Sequence, residues 1–209
     1  MQVTTDGVHV FCQPVRALIQ IAWAINESSR VLGVPAWASE ITYNIDAKVA
    51  GEEAAAFGKL RVGERNRMLQ ALLQHRFNLK AHLDSRELPV YDLVVAKGGP
   101  KLKQASPDEA AKAMLWLRSR GEIDSTSMPV HSLPSMLARE LDRPVVNKTG
   151  LTGNYDFTLR FAPATAATSD SQDPSIFTAV QEQLGLKLEP SKAPLDVLII
   201  DNLEKPTEN

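Results

Sequence analysis

The sequence predicts an α+β fold of two tandem similar lobes, each running strand-helix-strand-strand-helix-strand-strand. Three observations predict it. Segments of the second half answer segments of the first in the same order, amphipathic helical stretches alternate with short apolar strands in both halves, and a Gly-Gly-Pro break separates them. Cys12-Gln13-Pro14-Val15-Arg16-Ala17-Leu18 is answered by Ser127-Met128-Pro129-Val130-His131-Ser132-Leu133, and Tyr43-Asn44-Ile45-Asp46 by Tyr155-Asp156-Phe157-Thr158. Phe77-Asn78-Leu79-Lys80 is answered by Leu184-Gly185-Leu186-Lys187, and Val90 to Val95 by Leu195 to Ile200. This order points to a duplicated module of about a hundred residues.

The elements follow in turn. Val8 to Cys12 reads as a strand, and Pro14 opens a helix whose stripe is Leu18, Ile21, Ala22 and Ile25. Val31 to Val34 is a short strand ended by Pro35. Ile41 to Val49 alternates with a period of two, which turns Asn44, Asp46 and Lys48 to solvent. After a small-residue loop, 51–58, a helix spans Gly63 to His75. Asn78 to Leu83 and Val90 to Ala96 form a hairpin whose turn holds Asp84, Ser85, Arg86 and Pro89. Lys97-Gly98-Gly99-Pro100 closes a first lobe, 1–97. Residues 98–121 are a connecting segment with a helix from Asp108 to Arg120. The second lobe, 122–209, repeats the order. Its elements are strand Ile123–Met128, helix His131–Leu141, strands Val145–Val146 and Tyr155–Phe161, helix Ser175–Leu184, and strands Leu186–Leu188 and Leu195–Asp201. Pro163 to Asp173 is a polar, small-residue stretch without periodicity.

The apolar fraction of 44% and charged fraction of 23% are those of a globular chain, and a net charge of −2 gives no basic patch for nucleic acid. No apolar run approaches membrane-spanning length. The residues from Met1 to Gly7 lack a secretory pattern, and the single cysteine, Cys12, is expected to be a small buried strand residue.

Gly98-Gly99-Pro100-Lys101-Leu102, the segment from Arg143 to Leu159, and Gln181 to Pro190 carry a family likeness. In these the chain resembles a soil-associated protein family of Acidobacteria and relatives that has no established common activity. The likeness covers nearly the whole chain and implies export or attachment to the cell envelope. Each lobe is more loosely similar to the short N-terminal domain of secretins and TonB-dependent receptors, in which a second helix ends in a Gly-Leu turn. That resemblance implies a module that binds a protein or peptide of the envelope.

Candidate chemistry is sparse. Asn147, Lys148, Thr149 and Tyr155 border a segment with Gly150 and Gly153, suited to left-handed backbone and to holding an anionic group, or to a structural turn. His131, Ser132 and Asp156 provide a base, a nucleophile and an acid without a nucleophile elbow, so Ser132 reads first as a helix cap. Asp170 and Asp173 supply hard oxygen ligands of the kind calcium accepts, although no spaced-acid calcium loop is present, and Asp173 before Pro174 also suits a helix cap. None of His9, His75, His82 and His131 has metal-ligand spacing, and no cofactor is predicted. Trp23, Trp37 and Trp116 are core residues or interface anchors. The leading expectation is therefore a non-enzymatic binding module for a protein or peptide partner. The alternative is a hydrolase of small esters or lactones, calcium- or other metal-assisted.

Overall fold

Val15, Leu18, Ile19 and Ala22 recur at helical spacing, and they form the buried face of α1 (Val15–Trp23). The computed structural model, in which residues 2–3, 7–48, 57, 59–106, 114–119, 121–163 and 173–206 are described, is α+β with mixed sheets. In chain order its elements begin with β1 (Gln2–Val3), β2 (Gly7–Pro14), α1, β3 (Val31–Leu32), α2 (Trp37–Glu40), β4 (Thr42–Lys48), α3 (Val62–Phe77) and β5 (Lys80–Val95). They continue with β6 (Lys103–Gln104), β7 (Met114–Ser119), β8 (Glu122–Pro129), α4 (Leu133–Leu141), β9 (Val145–Asn147), β10 (Asn154–Arg160), α5 (Ile176–Leu184) and β11 (Leu186–Asn202).

The chain divides into two compact units. The first comprises residues 1–86 together with 196–209, and the second residues 87–195. In the first, β1, β2 and β4 form an antiparallel sheet in that order. Val31 and Leu32 of β3 pair in parallel with Leu198 and Ile199. Its core gathers Val10, Leu18, Ile19, Leu69, Leu73 and Phe77, and it is completed by Leu198, Ile200 and Leu203 from the end of the chain. In the second unit, β6, β10, β8 and β7 form an antiparallel sheet, and β9 pairs in parallel with β5 from Tyr91 to Leu93. Ile123, Leu137, Leu159, Phe161, Val180, Leu184 and Leu186 centre its core.

Local chemistry explains the helix ends. The Glu64 carboxylate accepts the Arg61 N–H (2.8 Å) ahead of α3, and Ser175 Oγ accepts the Thr178 N–H (3.2 Å) at the start of α5. Asn78 and Gly185, both left-handed (φ 47° and 65°), end α3 and α5. At Gly185 a side chain would run into the Gly99 carbonyl, so only glycine fits.

Matched positions in the two halves share backbone geometry. In β2, Phe11 and Cys12 lie opposite the single residue Asn44, and in β8, Thr126 and Ser127 lie opposite the single residue Asp156. Cys12 and Ser127 are both left-handed (φ 48° and 51°). The Cys12 N–H donates to Asn44 Oδ1 and the Ser127 N–H to Asp156 Oδ1, each at 2.8 Å. Ala24 and Asp142, left-handed as well, end α1 and α4.

Several expected elements are corrected. The hairpin expected over Asn78–Ala96 is one strand, β5, and the pair Leu186–Leu188 and Leu195–Asp201 is likewise one strand, β11. Their turn-type residues sit on exposed stretches of strand, where Pro and charged side chains are tolerated. The helix expected over Asp108–Arg120 is a strand where described, Met114 to Ser119, hairpinned to β8 through Gly121 (φ 90°). A short apolar run cannot choose between helix and strand by periodicity. Cys12 is exposed rather than buried, although Ser127 at the matching bulge is fully buried. The loop expected at 51–58 lies largely outside the described residues, as does 164–172 of the polar stretch. No helix among the described residues is long and apolar enough to cross a membrane.

Candidate functional site

Among the described residues β4 is a terminal strand of its sheet, paired with β2 on one side from Gly7↔Lys48 to Pro14↔Thr42. Tyr43 and Ile45 pack on the core while Asn44, Asp46 and Lys48 are exposed, as alternation predicts. A cleft of about 540 Å³ is lined by Asn44, Ile45, Asp46, Ala47 and Lys48, with Leu72, Arg76 and Phe77 of α3 and Pro206. Successive strand residues point to opposite faces, so a cavity touching five in a row runs along the strand edge and not over one face. Its floor is fixed, since Phe77 is buried and meets Tyr43 edge to face at 5.3 Å. Asp46 has His9 Nδ1 at 3.2 Å from the neighbouring strand. Close by, the carboxyl of Glu204 is held below its ordinary value by hydrogen bonds from Asn78 and then Asn202, with Lys80 adding a smaller Coulombic pull.

The second unit has a separate hollow of about 400 Å³, lined by Phe177, Thr178, Gln181, Glu182, Lys187 and Leu188. Beside it the Arg143 guanidinium lies 4.3 Å over the Tyr91 ring, which meets Phe177 edge to face at 5.2 Å. Phe177 remains 40% exposed.

The residues singled out for chemistry are mostly held in structural bonds. Asp156 accepts the Ser127 N–H and has Lys103 Nζ at 3.6 Å. Asn147 Oδ1 accepts the N–H and hydroxyl of Thr149, and Thr149 Oγ1 accepts the Leu151 N–H. Lys148 donates to Asp92 at 2.8 Å, and the buried Tyr155 donates its hydroxyl to the Thr152 carbonyl. Gly150 and Gly153 are left-handed, as their segment predicts. His131 is exposed in a single 3-10 turn, and no hydrogen bond joins it to Ser132 or Asp156. Ser132 occupies the N-cap position of α4 without making a side-chain cap.

Asp170 lies outside the described residues, and Asp173 is exposed ahead of the helix that Ser175 caps. Among the described residues no group of three or more His, Cys, Asp and Glu side chains could hold a metal ion. His82 meets Asp201 at 2.8 Å, and Trp23 and Trp37 pack on the first unit's core. The Trp116 side chain lies outside the described residues.

Sequence reasoning missed the cleft, because Asn44–Lys48, Leu72–Phe77 and Pro206 are brought together only by folding. Its one legible signal was the alternation of β4. No curated protein and no solved structure matches the chain. A family model described as "Protein of unknown function (DUF3738)" matches residues 16–203. The chain therefore belongs to the DUF3738 family of proteins of unknown function.

Proposed function

We propose that this chain is a non-enzymatic binding module that recognises a protein or peptide partner of the cell envelope. The observation that carries the reading is the cleft along the edge of β4, a strand with backbone groups at its margin and a preformed floor. Supporting it, Asp156, Asn147 and Tyr155 are engaged in holding backbone groups and Lys148 is paired with Asp92, and such bonds serve architecture. The shared bulges and helix ends at matched positions fit a duplicated module, and the looser likeness to secretin and TonB-receptor domains supports an envelope partner. Fold likeness alone carries no activity.

Two measurements test the reading. The purified protein is assayed on a panel of esters and lactones, with chelator and with added calcium, and is expected to turn over none of them. It is also presented with a display library of random linear peptides and is expected to retain a related set. Turnover lost in His131→Ala or in Asp156→Asn, with the fold intact by circular dichroism, would make the protein a hydrolase instead.

A further inference from the structure

We propose that Arg143, Tyr91 and Phe177 form a site for the C-terminal carboxylate of a peptide whose last residue is apolar. The site lies in the second unit, adds to the binding-module reading and does not depend on the β4 cleft, so either can fail alone.

The cation is held in place before any ligand arrives. Arg143 follows Asp142, the left-handed end of α4, and its N–H donates to the Ala138 carbonyl at 3.3 Å. The carbonyl of Pro144, next in the chain, accepts the Tyr91 N–H at 2.9 Å. Between these anchors the Arg143 guanidinium lies 4.3 Å over the Tyr91 ring. A guanidinium stacked on a ring gives the ring its flat face and keeps its N–H edge for a planar acceptor, and a carboxylate matches that edge with two parallel bonds. Of its side-chain nitrogens only Nε is buried without a partner, which leaves the terminal Nη pair as the fork. Among the described residues no carboxylate pairs with Arg143.

An apolar seat stands beside the cation. Phe177, in the first turn of α5, meets the Tyr91 ring edge to face at 5.2 Å and is 40% exposed. It borders the hollow of about 400 Å³ that Leu188 also lines. Of the charged residues in that lining, Lys187 is paired with Glu189 at 2.9 Å, and Glu182 repels an anion. Charge therefore sends a carboxylate to Arg143 and its apolar companion to Phe177.

Tyr91 touches both residues, so the ligand needs its two groups a short distance apart. A C-terminal residue carries its carboxylate and its side chain on one carbon. An Asp or Glu inside an extended chain has its neighbours' side chains on the opposite face, and cannot offer both together.

The full chain is titrated with an acetylated peptide of three glycines and a final phenylalanine, with the same peptide amidated at its C-terminus, and with one continued by two further glycines. The free acid is expected to bind with a dissociation constant on the order of 1 mM and to shift the Arg143 side-chain and Phe177 ring signals. Amidation or extension should weaken binding at least about tenfold, as loss of a charge-assisted pair implies. Arg143→Lys keeps the charge and loses the fork, and should weaken the acid about fivefold with the circular dichroism unchanged. Should that variant fail to fold, Phe177→Ala, at an exposed ring, should erase the preference for phenylalanine over glycine as the final residue. Equal binding of acid and amide, shifts confined to residues 44–48, or no shift at about 10 mM acid would overturn the site and leave the β4 cleft standing.

Discussion

Asp156 shows how a residue that invites a catalytic reading is explained by the backbone beside it. A β-bulge leaves one N–H off the regular ladder, and the residue facing the bulge supplies the missing acceptor. Asn44 does this for Cys12 with an amide oxygen, and Asp156 does it for Ser127 with a carboxylate oxygen. The two solutions define a prediction. Asp156→Ala strands the Ser127 N–H in a site where Ser127 is fully buried, and should lower stability by about 1–3 kcal/mol in urea unfolding. Asp156→Asn keeps an oxygen in place and should cost well under half as much. Equal losses for the two variants would show that the carboxylate charge, and not the acceptor, matters. At this scale the sequence was legible where residue type and conformation agree, as at Gly185, Gly150 and Gly153, whereas Asn78, expected to begin a strand, is the left-handed end of α3. It was silent at Cys12 and Ser127, residues with no preference for left-handed backbone, because the bulge that puts them there arises from pairing with a distant strand.

Among elements, the helices were the most readable, since α1, α3, α4 and α5 each bury a stripe at helical spacing. Strand continuity was not. Asp84, Ser85, Arg86 and Pro89 are turn formers by type, yet they lie within β5, where Asp84 Oδ1 accepts the Ser85 N–H and Asp84 Oδ2 meets Arg86 at 3.1 Å. Pairing within a sheet overrides local preference: β5 neighbours β11, and β9 pairs with it only at Tyr91–Leu93, beyond the turn-type residues. Hydrogen exchange tests this directly. Alternate amides between Asp84 and Leu88 should exchange slowly, together with those of Leu93 and Val95. Exchange at unfolded-chain rates throughout 84–88 would restore the hairpin. The same competition explains β7, whose apolar run found a partner in β8.

At the level of the whole molecule, the α+β class was legible from composition and periodicity, and the candidate site was not, because its lining is drawn from three separated stretches. The first unit likewise draws its core from both ends of the chain. Leu198, Ile200 and Leu203 are at most 9% exposed, and each is worth about 2–5 kcal/mol when truncated from a core. Their joint loss approaches the whole stability of a typical domain, about 5–15 kcal/mol. A chain ending at Leu195 should therefore lose the near-ultraviolet signals of Tyr43, Trp23 and Trp37, while Leu198→Ala alone should only shift the unfolding midpoint. Retention of those signals in the shortened chain would mean that the first unit closes without its final strand.

The parallel pairing of Val31 with Leu198 also bears on how the protein is made. A ribosome delivers Val31 long before Leu198, so the first unit cannot be finished when its own helices emerge. Its apolar faces must wait, exposed or transiently sheltered, until synthesis has passed through the entire second unit. Pairings between such distant residues slow folding, and they make the nascent chain dependent on whatever guards it during that interval.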